Sequence, residues 1–428
     1  MKYIGTGVVL LGMMFPCIAG DVTVEKTGPR QLSVVCSDNG QVYRGKFDFP
    51  AGKPVQVTDE YHSSVKPYRK GGSYSMTSPN RLRSMECNTP HSYLPGSLVV
   101  KNGKGEAAQA YRQGVDFEID NVESVFGRLP AGGIGEKTGV YISYRFVKQR
   151  IDAVVLRDGK LQLVPGEERT NCPQLPELQK TDKLLLTVWV YGNYAELPGD
   201  AVMVIDREKL RNPDLSGTAE KYFPRTLKKL QSGEKVRIVA WGDSITNGGY
   251  LPIEKRWTTI FITELRRRFP KADIEFLIVG WPGKTTSTFF NSSAGTKYDY
   301  QKKVLDVKPD LIISEFMNDC SLPPKVVTAN YDRVLKDFSA IGAEWVAMTP
   351  CYSRGNADSP VDNRYYINFL RKFCAKNKIA VADASLYYGK LRYAGIPFRA
   401  TLVNSVNHPD GRGMQLLADS VLDLFPEK

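Results

Sequence analysis

The stretch VRIVAWGDSITNGG, residues 236–249, joins an apolar run to a polar loop that is rich in glycine. Val and Ile dominate the run and Gly242 ends it abruptly, a pattern typical of a buried strand in a parallel sheet. Parallel α/β sheets place their chemistry at the carboxyl ends of their strands. The pattern therefore predicts that Ser244 lies at the mouth of a functional site.

A serine hydroxyl needs a positioned base near neutral pH, and histidine is the usual one. The chain contains three histidines, of which His62 and His91 lie in the N-terminal half and His408 lies near the C-terminus in NSVNHPDGRG. We therefore predict that His408 is the base. A second apolar run, LIISEF at 311–316, is followed by Met-Asn-Asp, where Asn318 offers an amide donor for a developing oxyanion.

These motifs, in this order, resemble the SGNH hydrolases, also called GDSL esterases and lipases, over residues 235–428. Gly-Asp-Ser-Ile around Ser244 is similar to the nucleophile block, and Gly283 in IVGWPGKTT is similar to the second block. Asn318 and His408 are similar to the third and the last block. The resemblance implies a flavodoxin-like three-layer α/β sandwich with a parallel sheet. It also implies that the backbone N–H groups of Ser244 and Gly283 and the Asn318 amide hold the oxyanion.

The chain departs from the family pattern three residues before His408, where the family has Asp and this chain has Ser405. The acid of a triad holds the imidazole in the correct tautomer and stabilises the imidazolium. Ser405, the Asn404 side chain or a backbone carbonyl would give a dyad with a neutral acceptor. Asp410 or Asp383 would instead supply a carboxylate from elsewhere. We favour the neutral acceptor.

The other features near the motifs indicate chemistry that needs neither cofactor nor metal. Asp243 is expected to brace the turn before the nucleophile rather than to take part in the reaction. The sequence has neither CxxC pairs nor an HExxH motif, and three scattered histidines argue against a multi-histidine metal site.

The N-terminus predicts export. Residues 1–20 combine one early positive charge, an apolar core and small residues at Ala19 and Gly20, which is typical of a signal peptide cleaved near Gly20. The apolar core is too short for a membrane span. A lipoprotein would use Cys17, but Phe15-Pro16 is a poor lipobox, so we favour a secreted or periplasmic protein. No later segment reaches membrane-spanning length without charges.

The chain has seven cysteines, and those after Cys17 would stay in the mature protein, in an oxidising compartment. We predict a disulfide between Cys320 and Cys351 that braces the oxyanion loop, and we consider a pair of Cys36 with Cys87. The alternative is that all of these cysteines are small buried apolar residues.

The sequence predicts two domains joined by a charged linker. Strand-like and helix-like runs alternate over residues 235–428, which indicates right-handed crossovers and a parallel sheet. Residues 21–205 alternate apolar and polar residues between Gly, Pro, Asn and Asp, which predicts an antiparallel β-sandwich or barrel. Residues 206–234 form the linker, with one short helix. Within the β region, residues 150–190 are loosely similar to β modules of phage-tail proteins.

The formal net charge of +12 favours anionic partners, such as an acidic polysaccharide or a cell-wall polymer. Nucleic acid is not expected, because the Lys and Arg residues are dispersed and no nucleic-acid motif accompanies them. Together with export, the resemblance implies a serine esterase that removes small acyl groups, acetyl above all, from carbohydrate. The sequence leaves the oligomeric state open.

Two alternatives to this function are open at the level of sequence. One is a lipase or lysophospholipase of the same fold, with Trp281, Phe289 and Phe290 lining an acyl channel. The other is a carbohydrate-binding or adhesion protein whose hydrolase domain is vestigial.

Overall fold

The residues that the computed structural model of the chain describes are 21–72, 76–77, 90–356 and 359–427. They divide into two compact units. We call residues 21–209 and 392–406 the β unit, and residues 210–391 and 407–427 the α/β unit. The predicted signal peptide, residues 1–20, lies outside the described residues.

The β unit is built from short strands. In chain order they are β1 (Val22–Gly28), β2 (Gln31–Asp38), β3 (Gln41–Asp48), β4 (Pro54–His62), β5 (Val99–Lys101), β6 (Ala110–Tyr111), β7 (Phe117–Asp120), β8 (Val125–Arg128), β9 (Val140–Val147), β10 (Arg150–Arg157), β11 (Lys160–Val164), β12 (Lys183–Val190) and β13 (Val202–Val204). In the described part of the unit, neighbouring strands pair antiparallel in the orders β1-β2-β3, β4-β9-β5-β6, β7-β8 and β11-β10-β12-β13. The predicted β-rich antiparallel architecture is confirmed.

Alternation along the strands builds the core of the β unit. β2 buries Leu32, Val34 and Cys36 and leaves the residues between them partly exposed, as expected for a strand with one face on a core. The buried charges of β10 are paired, because Arg150 Nε donates to both carboxylate oxygens of Asp152 at 2.9 and 3.1 Å.

The segment from 392 to 406 packs with the β strands, although the sequence placed it in the hydrolase domain. Thr187 Oγ1 of β12 donates to the Gly395 carbonyl at 2.6 Å. Arg399 Nη1 lies 2.8 Å from Asp200 Oδ2. These contacts hold the segment within the β unit through both backbone and side-chain groups.

The α/β unit alternates strands with helices. Its strands are β14 (Lys235–Gly242), β15 (Asp273–Gly280), β16 (Leu311–Glu315), β17 (Glu344–Met348) and β18 (Ala380–Ala382). Its helices are α1 (Thr218–Tyr222), α2 (Pro224–Ser232), α3 (Ser244–Asn247), α4 (Trp257–Arg268), α5 (Thr286–Phe290), α6 (Pro324–Ala340), α7 (Tyr365–Asn377), α8 (Ala384–Lys390) and α9 (Gly411–Leu422). The strands form one parallel sheet in the order β15-β14-β16-β17-β18 among the residues described. The parallel sheet and the intervening helices confirm the predicted α/β fold.

The register of the sheet brings three strand ends to the same level. Gly242 at the end of β14 pairs with Gly280 of β15 on one side and with Glu315 of β16 on the other. Ser244, Gly283 and Asn318 follow these three strand ends within a few residues. The sheet itself therefore gathers the predicted nucleophile and the predicted oxyanion donors at one edge.

Aromatic side chains fill the core of this unit. Trp241 is fully buried and meets Phe316 and Phe338 edge-on, with ring centroids 4.7 and 5.9 Å apart. Burial of each such ring contributes roughly 1.5–3 kcal/mol to the stability of the folded state. α7 buries Tyr366 and Leu370 on its inner face, as its helical spacing predicts. In the described part of the chain, the structure contains no helix whose length and apolar character would let it cross a membrane.

Candidate active site

The turn that carries Ser244 depends on a glycine. A Cβ atom on Gly242 would lie 2.1 Å from the carbonyl oxygen of Glu315 and 2.2 Å from Thr246 Oγ1, so only glycine lets β14 approach its neighbours so closely. The chain then turns directly into the short helix α3, whose first residue is Ser244. The backbone N–H at this position points out of the helix start without an intrahelical partner.

The predicted nucleophile and the predicted base meet in the structure. Ser244 Oγ lies 2.8 Å from Nε2 of His408, across a separation of 164 residues in the chain. Both side chains are buried, with exposed fractions of 8% for Ser244 and 7% for His408. A hydrogen bond of this length is the geometry that lets an imidazole take the proton of a serine hydroxyl.

Asp243 braces the nucleophile turn. Its Oδ1 accepts from the Ile245 backbone N–H at 3.0 Å, and its Oδ2 accepts from the Asn318 backbone N–H at 2.9 Å. The carboxyl group thus ties the turn after β14 to the loop after β16. Burial raises the pKa of Asp243 above its usual range, while the backbone N–H donors act in the opposite direction.

The predicted oxyanion residue Asn318 is hydrogen-bonded to Lys284, the residue that follows Gly283 in the chain. Asn318 Nδ2 donates one hydrogen to the Lys284 carbonyl at 3.2 Å, which orients the amide. An amide nitrogen carries two hydrogens, and the second has no acceptor among the described residues. Gly283 lies in the turn after β15 with a φ of 72°, a left-handed conformation that favours glycine.

Two buried carboxyl groups behind the site, Glu315 and Asp319, were not predicted from the sequence. Glu315 Oε2 accepts from Thr246 Oγ1 at 3.1 Å, and burial, followed by the proximity of Asp243, raises the pKa of Glu315 well above its usual range. Burial also raises the pKa of Asp319 to about 7. Their signal in the sequence is an acidic residue at the end of an apolar strand, Glu315, and a second one directly after Asn318. Among the described residues, no group of three or more His, Cys, Asp or Glu side chains is placed to hold a metal ion.

Asp383, one of the carboxylates considered as a partner of His408, is engaged elsewhere. It forms an ion pair with Arg371 at 2.8 Å and accepts from Thr349 Oγ1 at 2.9 Å and from Ser385 Oγ at 2.8 Å. The structure therefore does not place this carboxylate on the imidazole.

Asp410, the other carboxylate considered, begins helix α9. It accepts from the backbone N–H groups of Arg412 and Gly413 at 2.9 and 3.2 Å, and its second oxygen lies 2.7 Å from the Arg412 guanidinium. Asp410 is therefore the N-cap of α9, and it also forms an ion pair with Arg412. The hydrogen bonds of Asp410 within the described residues are thus made to its own helix and not to His408.

The predicted neutral acceptors, Asn404 and Ser405, belong to the β unit. Asn404 Oδ1 accepts from the Val406 backbone N–H at 3.0 Å. Ser405 has a φ of 56°, which is uncommon for a residue other than glycine. Their role as partners of the base stays a prediction.

The predicted disulfide between Cys320 and Cys351 is wrong, because both residues are free thiols. The Arg364 guanidinium approaches Cys320 Sγ at 3.6 Å and donates to the Cys351 carbonyl at 2.8 Å. Burial raises the pKa of Cys320 to about 12 and that of Cys351 well above its usual range, which makes both thiols poor nucleophiles. Cys36 is also a buried free thiol, and Cys87 lies outside the described residues.

Of the three aromatic residues considered as an acyl channel, Phe289 lies in the core, and Trp281 and Phe290 are partly buried against it. Trp281 stacks on Phe289 with ring centroids 4.2 Å apart, and Phe289 is 1% exposed. Phe290 lies under the guanidinium of Arg333, 4.3 Å from its ring centroid. The packing of these residues therefore gives no support to a lipase-type channel at this position.

Residues 240–416 match the model of the GDSL-like Lipase/Acylhydrolase family. The matched range contains Ser244, Gly283, Asn318 and His408. The match confirms the predicted family resemblance and supports a carboxylic ester hydrolase domain in this region. No curated protein matches the chain in sequence.

Several solved structures are similar to part of this chain. A two-domain esterase active on acetylated mannans is 16% identical over 46% of this chain and 50% of its own, with a TM-score of 0.40. A catalytic mutant of an acetylxylan esterase from Geobacillus stearothermophilus is 16% identical over 44% of this chain and 92% of its own, with a TM-score of 0.35. A putative lipolytic protein of the G-D-S-L family from Desulfitobacterium hafniense DCB-2 is 15% identical over 44% of this chain and 99% of its own, with a TM-score of 0.33. The matched region thus spans about half the length of the two-domain esterase.

Proposed function

We propose that this chain, which carries a GDSL-like lipase/acylhydrolase domain at residues 240–416, is a secreted serine esterase that removes small acyl groups, acetyl above all, from carbohydrate. The observation that carries the proposal is the 2.8 Å contact between Ser244 Oγ and His408 Nε2. It joins two residues that only the folded sheet brings together, in the geometry that nucleophilic catalysis requires.

The proposed reaction proceeds through an acyl-enzyme. Ser244 Oγ attacks the ester carbonyl while His408 takes the hydroxyl proton, and the carbonyl oxygen becomes an oxyanion. The backbone N–H groups of Ser244 and Gly283 and the second hydrogen of the Asn318 amide hold that oxyanion. His408 then gives its proton to the sugar oxygen as the alcohol leaves. His408 then takes a proton from a water molecule, whose oxygen attacks the acyl-enzyme. As the bond between the acyl carbon and Ser244 Oγ breaks, His408 returns that proton to Oγ, which releases the carboxylic acid and regenerates the Ser244 hydroxyl.

The bracing by Asp243 supports this assignment of roles. One carboxyl group fixes the backbone of the nucleophile turn and the backbone of Asn318 at the same time. An oxyanion hole works only if its donors are in place before the charge develops. The hydrogen bonds of Asp243 provide that preorganisation.

The preference for a small acyl group is supported by the stacking of Trp281 on the buried ring of Phe289, which leaves a long acyl chain without the channel considered for it. The carbohydrate part of the proposal depends on the family resemblance and on predicted export. The formal net charge of +12 favours an acidic glycan.

Acetate release from a panel of acetylated polysaccharides tests the proposal. The wild-type protein should release acetate, and Ser244→Ala should lower the rate by about a thousandfold or more. Ser339→Ala, on an exposed position of α6, is the matched control and should behave as the wild type. Release that is equal in Ser244→Ala and wild type would show that the catalytic assignment is wrong.

A chain-length series of p-nitrophenyl esters separates the proposed activity from that of a lipase. We expect kcat/KM to fall from acetate to octanoate. A rise along the series would favour the lipase alternative. Polysaccharide binding without hydrolysis of any ester would favour the adhesion protein with a vestigial hydrolase domain.

Export is proposed from the sequence of residues 1–20. N-terminal sequencing of the protein recovered outside the cytoplasm should find a chain that begins near Asp21. A chain that keeps Met1, or one that carries lipid on Cys17, would contradict this part of the proposal.

A further inference from the structure

Tyr250 stacks on the imidazole of His408. The two ring centroids lie 4.5 Å apart, and the ring planes are inclined by only 19°. The imidazole of His408 is thus held at its edge by the hydrogen bond to Ser244 and on one face by the phenol ring.

The loop that carries Tyr250 is the continuation of the nucleophile helix α3. Asn247 Nδ2 donates to the Gly280 carbonyl at 3.1 Å, and Leu251 N donates to the Gly248 carbonyl at 2.9 Å. Gly248 has a φ of 62°, which lets the chain turn tightly after α3. The ring of Tyr250 is therefore fixed relative to the same turn that fixes Ser244.

The hydroxyl of Tyr250 does not contribute to the contact with His408. It is buried and has no hydrogen-bond partner among the described residues. Burial, in turn, keeps the phenol neutral by raising its pKa well above the usual range. Burial of a hydroxyl that makes no hydrogen bond costs free energy. The favourable contact of this side chain is therefore the one that its ring face makes with the imidazole of His408.

The titratable groups that surround the stack are either paired or have pKa values raised by burial. The titratable side chains that face Tyr250 from neighbouring elements are Cys351, Glu315, Asp243, Asp410 and Tyr388. Burial raises the pKa of the Cys351 thiol, and that of the carboxyls of Asp243 and Glu315, above their usual ranges. The charge of Asp410 is balanced by Arg412 at 2.7 Å.

Cys351 supports the same loop from the other side. Its Sγ donates to the carbonyl of Asn407 at 3.4 Å, one residue before His408. The base is therefore fixed through its neighbouring peptide as well as through its ring.

We propose that Tyr250 is a positioning residue for His408, whose ring fixes the plane of the imidazole and stabilises the imidazolium that forms when Ser244 loses its proton. The inference rests on the proposed function of the Ser244 and His408 pair. An aromatic face attracts a cation that lies against it, and more strongly where water is excluded. In a triad the acid supplies both the orientation and the charge stabilisation of the imidazole, and a stacked aromatic ring adds to both.

The test compares Tyr250→Leu with Tyr250→Phe, using the pH dependence of p-nitrophenyl acetate hydrolysis. Tyr250→Leu removes the aromatic face, so we expect kcat to fall by about tenfold with little change in KM. Because the stack favours the protonated imidazole, its loss should also move the acid limb of kcat/KM to lower pH by about half a unit. Tyr250→Phe keeps the face, so its kcat and its acid limb should match those of the wild type.

Two outcomes would overturn the inference. One is a wild-type rate and acid limb in Tyr250→Leu. The other is a loss in Tyr250→Phe as large as that in Tyr250→Leu, which would assign the effect to the hydroxyl. Tyr250→Met, which is flexible and apolar, provides the same comparison if the Leu variant does not fold.

A measurement on the wild-type protein is independent of any variant. With only three histidines in the chain, NMR of histidine-labelled protein should show imidazole protons of His408 displaced upfield by the stacked ring. Unshifted protons would contradict the stack. Failure of the proposed function itself is distinguishable, since it would appear as unchanged hydrolysis in Ser244→Ala whatever the result at Tyr250.

Discussion

In the β unit, the buried carboxylate of Asp152 lies 2.9 Å from the guanidinium of Arg150, whereas in the α/β unit the buried carboxyls of Asp243 and Glu315 have no cationic partner among the described residues. Pairing neutralises the cost of burial and serves the fold. Leaving carboxyls buried without a counter-ion is costly, and such groups cluster at functional sites. The difference indicates that the Asp152 carboxylate of the β unit serves the structure, whereas the Asp243 and Glu315 carboxyls of the α/β unit shape the edge that carries Ser244.

The largest effect is expected from removing one partner of the pair in the β unit. Arg150→Ala leaves the Asp152 carboxylate buried and unpaired, which should destabilise the β unit by about 3–5 kcal/mol. Denaturant unfolding, monitored by hydrogen exchange of the β10 and β12 amides, measures this loss of stability. Replacement of both residues by apolar side chains is the control and should restore much of the loss. An Arg150→Ala protein with the stability of the wild type would show that the pair is not structural.

Removing an oxyanion donor in the α/β unit should act on rate instead of stability. Asn318→Ala deletes the amide that the Lys284 carbonyl orients, so we expect kcat to fall by about a hundred- to a thousandfold. The thermal midpoint should change little, because this side chain is only partly buried. A thermal midpoint lowered as much as in Arg150→Ala, with kcat unchanged, would contradict the contrast between the two units.

The pH dependence of stability should differ between the units. Glu315 has a raised pKa in the folded state, so its contribution is present at acid pH and is lost as the pH rises above about 4, the unfolded value, through the folded value. Asp182 of the β unit has a pKa lowered by Arg157, so its contribution is present at neutral pH and is lost only as the pH falls below about 4.

Glu315→Gln isolates this difference. The substitution removes the titration, so the fall in stability of the α/β unit between pH 5 and pH 8 should become shallower. Hydrogen exchange of β14 and β16 at both pH values measures the slope, and exchange of β10 is the internal reference. An unchanged slope in Glu315→Gln would show that this carboxyl is not the group that titrates.

The smallest effect is expected from reduction. Cys320 and Cys351 are free thiols, so dithiothreitol should leave the thermal midpoint and the hydrolysis rate unchanged. A drop in the thermal midpoint on reduction, together with a peptide that links these two cysteines under non-reducing conditions, would show that the disulfide forms.

The sequence alone was sufficient to predict the site residues that follow the ends of strands. Ser244, Gly283 and Asn318 each come just after an apolar run, and a parallel sheet brings such ends together whatever the rest of the chain does. His408 was found by elimination among three histidines. The antiparallel strands of the β unit could also be predicted, because the alternation of apolar and polar residues is local to each strand.

What the sequence could not supply depends on side-chain direction across distant elements. Cys320 and Cys351 do follow adjacent strands, but Arg364 occupies the space near both. Tyr250 and Glu315 belong to no motif, and their contacts with His408 and Thr246 exist only in the folded chain. Likewise, nothing in the composition of residues 392–406 indicates that they pack with the β strands.

Covalent labelling with a fluorophosphonate, followed by peptide mass spectrometry, tests the pair of Ser244 and His408 most directly. We predict a single adduct per chain on the peptide that contains Ser244, and a labelling rate that falls sharply in His408→Ala. An unlabelled wild-type protein, an adduct on another residue, or equal labelling in His408→Ala would contradict the assignment of nucleophile and base.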